Sequence, residues 1–305
     1  MKMQRSLGPA AIATAIGLGV SLPGVAAADE SSFEIYGFAQ LDYIQDFGRV
    51  NPDWVDTLRP SRIPTDEGQF GSDGQTSFSV KQSRIGVQGN LPTARGDIYT
   101  KFEIDLFGVG EDEGQTTIRL RHVYGEYGQI LAGQTNSLFM NGDIFPNSID
   151  YWGPAGMVFL RNPQIRWTPI KGNSLFAIAV EKPGNDIDAG EFRTVQGFPG
   201  AQGKQELPDL TAQFRQSGDF GYLQLSGILR KVTAEVVDDV SVDPNNPDFE
   251  TIYEDSDIGW GLNLTTVINL FRKDAIRAGL VYGEGIASYM NDGGMDAAPD
   301  RIGHL

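Results

Sequence analysis

The chain has 305 residues but no cysteine, and its only histidines are His122 and His304. Without cysteine the fold must depend on hydrogen bonds and packing rather than on disulfides. A Ser–His catalytic device would need one of the two histidines, and neither stands beside a serine motif or an acidic partner that would orient it. The sequence therefore predicts a protein that is not an enzyme, with no catalytic residue, metal site or cofactor.

Long apolar runs are also missing outside the N-terminal region. Lys2 and Arg5 precede a short apolar segment, Leu7–Leu22, and Ala26 to Ala28 supply a small-residue cleavage site. This order is typical of a secretory signal peptide, and the segment is too short and too rich in glycine to span a membrane as a helix. We therefore predict a cleaved signal peptide over residues 1–28 and a mature domain over residues 29–305.

Positive charge is scarce: 24 lysines and arginines stand against 40 acidic residues, and the net charge is −16. An acidic balance of this size argues against nucleic acid as a partner. Much of the excess lies in Asp238–Asp257, which carries eight acidic residues and no basic one. This segment is either a solvated external loop or a site where divalent cations bridge to lipopolysaccharide, and its spacing does not fit an EF-hand.

What the sequence does contain is a period of two along most of the mature chain. In Asp97–Phe107, apolar residues such as Ile98 and Phe102 alternate with Lys101, Glu103 and Asp105. This pattern predicts β-strands, and no segment has a 3.6-residue period over ten residues. Similar segments are Phe33–Phe47, Ser83–Gln88, Gln164–Thr168, Leu175–Lys182, Leu210–Arg215, Tyr222–Lys231, Ile258–Ile268 and Asp274–Tyr289.

Short and long connections alternate between these strands. Turns such as Ile170–Ser174 separate long segments such as Gly48–Thr76 and Pro183–Pro208. Short turns on one side and long loops on the other are typical of outer-membrane barrels, and a compact soluble sandwich rarely carries several such loops. The sequence therefore predicts an all-β, transmembrane antiparallel β-barrel of which about eleven strands are present.

In such a barrel the apolar phase of each strand faces lipid, because a basic side chain at mid-bilayer costs about 2–4 kcal/mol. The polar phase then lines the pore. Guanidinium groups on a water-filled wall would attract anions, although the alternative that they only pair with nearby carboxylates stays open. The predicted pore-lining residues are Arg84, Lys101, Glu103, Asp105, Arg119, Arg121, Arg166, Arg215, Arg230 and Arg277.

Strict alternation fails in one strand. The segment RLRHVYGEYGQILAGQT, Arg119 to Thr135, places Arg119 and Arg121 on the pore side but would turn His122 and Glu126 toward lipid. We therefore expect a bulge or an early turn between Arg121 and Tyr127.

The third long loop, Asn136–Pro163, is unusually apolar. We predict that it folds into the lumen and narrows it, and we name it the constriction loop. A subunit interface is the alternative, since exposed aromatic patches often mark contacts. Its candidate residues are Asp143, Asp150, Tyr151, Trp152 and Arg161.

Three stretches, SRIGVQGN, RLRHVYGEYGQILAGQTNSLF and DIFPNSIDYWGPAGMVFLRNPQIRWTP, resemble the DcaP-like family of Gram-negative outer-membrane porins. The resemblance covers nearly all of the mature chain. It implies a homotrimeric porin in the outer membrane, with an inward third loop and uptake of small anions such as dicarboxylates. Outer-membrane lipid and lipopolysaccharide would be the other partners.

The chain departs from that family in strand number. Porins of this type have about sixteen strands, whereas about eleven are predicted here, and the chain stops at DRIGHL without an aromatic terminal residue. We therefore expect the barrel domain to be incomplete at its C-terminal end. A secreted or outer-membrane β-protein that binds carbohydrate or cells is the alternative function.

Overall fold

The computed structural model describes residues 31–108, 116–188, 201–238, 250–271 and 273–298. The predicted signal peptide and residues 239–249 of the acidic segment lie outside these ranges. Fourteen strands occupy the described residues. They are β1 (Ser32–Phe38), β2 (Asp42–Asp46), β3 (Gln75–Ser79), β4 (Arg84–Thr93), β5 (Gly96–Asp105), β6 (Arg119–Tyr127), β7 (Ile130–Asn136), β8 (Arg161–Ile170), β9 (Ser174–Glu181), β10 (Ala201–Lys204), β11 (Asp209–Gly218), β12 (Gly221–Asp238), β13 (Glu250–Asn269) and β14 (Ala275–Glu284).

Most of these strands form one antiparallel sheet. Its order is β1-β4-β5-β6-β7-β8-β9-β11-β12-β13-β14, and β10 pairs with the far end of β12. Neighbours along the path are joined by short turns or by long loops in alternation, which is the connectivity of an outer-membrane barrel. The predicted all-β barrel architecture is confirmed, and the eleven strands of this path agree with the predicted number of about eleven.

The strand boundaries correct three predictions. Phe33–Phe47 is not one strand, because β1 pairs with β4 while β2 pairs with β3 in a separate two-stranded sheet. The connection Pro183–Pro208 contains β10. The acidic segment is only partly a loop, since β13 begins at Glu250 and pairs with β12 as far as Asp238.

Elements other than strands are short in the described chain. They include 3-10 turns at Pro52–Trp54, Pro60–Arg62, Gly142–Ile144 and Ala287–Tyr289. None of the helices among the described residues is long and apolar enough to cross a bilayer.

The two faces of the sheet differ as the alternation predicts. On β12 and β13, Leu223, Leu225, Leu262 and Leu264 are exposed. The alternate residues of the same strands are polar and fully or nearly buried: Gln224, Ser226, Asn263 and Thr265. A sheet in a soluble protein buries its apolar side chains and exposes its polar ones. This sheet does the reverse, as expected where the surroundings are apolar.

The constriction loop lies on the polar face, so the predicted inward folding is confirmed. It leaves β7 after Asn136 and rejoins the sheet at Arg161, the first residue of β8. Near its start, Asn141 Nδ2 donates to the hydroxyls of Tyr222 and Thr265 at 2.9 and 2.8 Å. Phe139 and Val158 enter an apolar cluster with Ile228, Ile286 and Tyr289. The apolar side chains of the constriction loop are therefore covered on the polar side of the sheet.

Candidate functional site

A group of charged side chains lies on the polar face of β4, β5 and β6. Arg121 binds both carboxylates of β5, with Nε 2.6 Å from Glu103 Oε1 and Nη1 2.9 Å from Asp105 Oδ2. Arg119 Nε donates to Asp105 Oδ1 at 2.9 Å. These contacts follow from the register, because Arg119 pairs directly with Asp105. The strand alternation therefore builds the group without help from distant residues.

Two more cations complete this group. Arg84 Nε lies 3.5 Å and Lys101 Nζ lies 3.7 Å from the Glu103 carboxylate. Tyr36 also donates to Glu103, at 2.7 Å. We name Arg84, Lys101, Arg119 and Arg121, with Glu103 and Asp105, the arginine wall.

Burial within the arginine wall is uneven. The side chains of Glu103 and Asp105 are 5% and 1% exposed, whereas those of Arg84, Lys101 and Arg119 are 23–29% exposed. Four cations also outnumber two carboxylates. The side chain of Arg121 is buried too, at 10% exposed. Arg84, Lys101 and Arg119 are therefore the partly exposed cations of the polar face, and the two carboxylates lie buried beside them.

The expected irregularity in β6 is a β-bulge. The register between β5 and β6 shifts between Glu103 and Ile104, which pair with His122 and Leu120, so that Arg121 is the extra residue. His122 thereby turns to the polar side, where its Nδ1 lies 3.0 Å from Thr135 Oγ1. The bulge resolves the conflict that strict alternation creates.

The remaining predicted arginines also reach the polar face, but their partners differ. Arg215 pairs with Asp143 of the constriction loop at 2.8 Å. Arg166 donates to the backbone of Asn136, and Arg277 donates to the backbone carbonyl of Asp143 at 3.1 Å. Among the described residues, Arg166 and Arg277 have no carboxylate within ion-pair distance.

Arg230 departs from the prediction of a water-facing pore residue. Its guanidinium is buried between Asp209, with Nε–Oδ2 at 3.4 Å, and Asp296, with Nη1–Oδ1 at 3.1 Å. Tyr289 donates to Asp209 at 2.8 Å and packs against the same guanidinium. We name Asp209, Arg230, Tyr289 and Asp296 the buried node. The segment after β14 covers this arginine, so its charge is unavailable to a solute.

The tip of the constriction loop contacts the arginine wall. Tyr151 stacks on Phe107 with ring centroids 3.8 Å apart, and its hydroxyl accepts a hydrogen bond from Arg119. Asp150 accepts from the backbone of Leu58 at 2.8 Å, so it is bound to another loop. Arg161 ends the constriction loop, stacks over Phe159 and interacts electrostatically with Arg119 and Arg121.

Some residues of the site are not apparent from the sequence. Tyr36, Glu181 and Asp209 occupy polar-phase positions, so the alternation of residue types indicates the face on which they lie but not the partners that they contact. Glu181 accepts from Ser137 Oγ and Leu138 N at 3.0 Å and so fixes the start of the constriction loop. Tyr289 and Asp296 follow the last strand, and no local pattern predicts that they fold back.

A family model supplies the decisive comparison. The model of the DcaP outer membrane protein family matches residues 23–293. The chain belongs to the DcaP outer membrane protein family. It is accordingly an outer-membrane protein, and the predicted resemblance is confirmed.

Among solved structures, the outer membrane channel DcaP of Acinetobacter baumannii has the same fold. The TM-score is 0.67 at 22% identity, and the match covers 89% of this chain and 69% of that one. OmpT of Vibrio cholerae in its trimer form matches at a TM-score of 0.30 and 10% identity, covering 84% of this chain and 89% of that one, which is too low to support an argument. No curated protein sequence matches this chain.

Proposed function

We propose that this DcaP-family protein is a porin, not an enzyme, whose water-filled channel admits small hydrophilic solutes and favours anions. The arginine wall is the observation that carries this proposal. Three of its four cations, Arg84, Lys101 and Arg119, are partly exposed on the polar face, while both of its carboxylates are buried. A solute that passes this face meets positive charge first.

The spacing of cations favours small dicarboxylates among anions. Guanidinium groups bind carboxylates through two parallel hydrogen bonds, and a solute with two carboxylates can use two cations at once. Arg161 adds a further cation beside Arg119 and Arg121. Arg166 and Arg277, which lack carboxylate partners in the described part of the chain, extend this cationic surface.

The proposed location is the outer membrane of a Gram-negative bacterium. The predicted signal peptide would direct export and would then be cleaved. The exposed apolar face would contact lipid and lipopolysaccharide. A homotrimer, which the resemblance to DcaP-like porins implies, is the proposed assembly. Native mass spectrometry of the detergent-extracted protein tests this assembly, and a monomer would refute it.

Planar-bilayer recording tests the channel and its preference together. The purified protein, inserted across a KCl gradient, should give discrete conductance steps and a reversal potential of the sign that marks chloride permeation. Absence of steps would refute the channel, and a potassium-selective reversal potential would refute the role of the arginine wall.

A further inference from the structure

One residue outside the arginine wall joins three separate segments of the polar face. Arg59 lies in the loop between β2 and β3, with its guanidinium against two tryptophan rings. It lies 4.5 Å from the centroid of Trp54, in its own loop, and 4.6 Å from that of Trp152, in the constriction loop. The two rings also contact each other edge to face at 5.4 Å. A guanidinium on an indole face is a favourable cation–π arrangement, and here there are two.

The third segment follows β14. Asp292 accepts a hydrogen bond from Arg59 Nε at 3.0 Å, and Ser61 donates to the same carboxylate through its backbone at 2.7 Å and through its hydroxyl. The Asp292 side chain is 3% exposed, so water does not compete for these donors. Its backbone has φ +60°, a left-handed conformation that non-glycine residues seldom adopt unless their surroundings fix it.

The segment that carries Asp292 is itself bound to the constriction loop. Val158 and Met290 form an antiparallel bridge, and the backbone of Asn291 exchanges hydrogen bonds with Gly156 and Met157 at 2.7 and 2.6 Å. Asn291 Nδ2 also donates to the carbonyl of Trp152 at 2.7 Å. Trp152 is thus held at its ring by Arg59 and at its backbone carbonyl by Asn291.

We propose that Arg59 is a positioning residue that clamps the tip of the constriction loop and thereby holds the channel in one open geometry. We name Trp54, Arg59, Trp152 and Asp292 the Arg59 clamp. Tyr151, the neighbour of Trp152, contacts Arg119 of the arginine wall. The clamp consequently determines where the loop tip lies relative to the wall.

This inference rests on the proposed channel function but concerns a different property. The arginine wall would set which ions pass, whereas the clamp would set how steadily they pass. Loss of the clamp frees Trp152 and the residues around it, so the loop should move into and out of the ion path. Such motion appears in recordings as brief closures, and loop motions of this kind occur on slow, measurable timescales.

Acid should release the clamp. Burial alone would raise the pKa of Asp292, but the hydrogen bonds from Ser61 and the charge of Arg59 outweigh it and hold the pKa below its ordinary value of about 3.9. A carboxylate with a lowered pKa contributes stability above its ordinary pKa, and that contribution disappears as the pH falls through the lowered pKa. The clamp should therefore be intact at neutral pH and open in strong acid.

Other charged groups share the cavity of about 490 Å³ beside the clamp. Arg62, Arg119, Tyr151 and Asp186 line it along with Arg59 and Asp292. Burial and the neighbouring charge of Asp296 raise the pKa of Asp186, so Asp186 gains its proton before Asp292 does as the pH falls. An acid response that belongs to the clamp must therefore disappear in Asp292→Asn.

Single-channel recording of the full chain tests the clamp. Arg59→Ala should raise the frequency of brief closures at pH 7 by about tenfold, since two cation–π contacts and an ion pair are lost. Arg59→Lys keeps the charge but not the flat guanidinium and should fall between wild type and Arg59→Ala. Arg95→Ala, at an exposed arginine of the β4–β5 turn that does not line this cavity, is the control and should close at the wild-type frequency.

The pH dependence supplies an independent readout that needs no drastic substitution. Wild type should close more often in acid strong enough to protonate Asp292, below its lowered pKa, than at pH 7, whereas Asp292→Asn should already close often at pH 7 and change little in acid. An acid response that persists unchanged in Asp292→Asn, or Arg59→Ala closures at the wild-type frequency, would overturn the clamp while leaving the channel proposal intact. Absence of any conductance in wild type would instead overturn the channel.

Discussion

The arginine wall and the buried node use the same residue types on the same face of the sheet, yet their charges have different surroundings. In the wall, Arg84, Lys101 and Arg119 lie beside two buried carboxylates and remain partly exposed. In the node, Arg230 and both of its carboxylates are buried together beneath the segment that follows β14. An inward-facing arginine is therefore available to a solute only where nothing folds over it.

The largest expected effect is on the buried node. Arg230→Ala removes the cation that contacts both Asp209 and Asp296, so two buried carboxylates lose an ion-pair partner. Breaking one side of a buried ion pair costs about 3–5 kcal/mol. Urea unfolding in detergent should show a loss of this size, with little change in the selectivity of channels that still form. An unchanged midpoint would show that the node does not stabilise the fold.

A smaller and mixed effect is expected where a carboxylate of the wall is neutralised. Glu103→Gln weakens the contacts with Arg84, Arg121 and Tyr36, which should cost about 1–3 kcal/mol because the site is buried. It also leaves the cations without that counter-charge, so the channel should become more anion-selective. Urea unfolding and the reversal potential measure the two effects. A loss of stability without a change of selectivity would show that Glu103 stabilises the fold, as the buried node does, and does not affect which ions pass.

The smallest effect on stability is expected from Lys101→Gln. Lys101 is partly exposed, lies 3.7 Å from Glu103, and sits over the ring of Tyr36. Removing one charge from a solvated site should change the attraction of an anion by about 1 kcal/mol, or roughly fivefold in local concentration. The channel should become less anion-selective while the urea midpoint stays close to that of wild type.

The alternation of apolar and polar residues explains why much of the fold was predictable from the sequence. Because each strand must present apolar residues to lipid, the phase of β4 to β6 follows from the sequence and puts the residues of the wall on one face of the sheet. The bulge at Arg121 was predictable for the same reason, since His122 would otherwise face lipid. The apolar side chains of the constriction loop likewise required cover, and the polar face supplied it.

Contacts between distant loops were not predictable. Arg59 and Asp292 are 233 residues apart, and neither belongs to a periodic segment that would fix its position. Burial of Arg230 depends on Tyr289 and Asp296, which lie in an irregular stretch beyond the last strand. Alternation identifies the face on which a side chain lies, but the chain that covers that face is determined by tertiary packing.

The central claim is tested most directly by whether two substitutions in the arginine wall shift the reversal potential in opposite directions. Reversal potentials of wild type, Lys101→Gln and Glu103→Gln are measured in one KCl gradient, with Arg95→Gln in the exposed β4–β5 turn as the control for loss of a remote positive charge. The arginine wall predicts that Lys101→Gln shifts the potential toward cation permeation, that Glu103→Gln shifts it toward anion permeation, and that Arg95→Gln leaves it unchanged. Shifts of the same sign for both wall variants, or none beyond that of the control, would contradict the claim that this wall sets the selectivity of the channel.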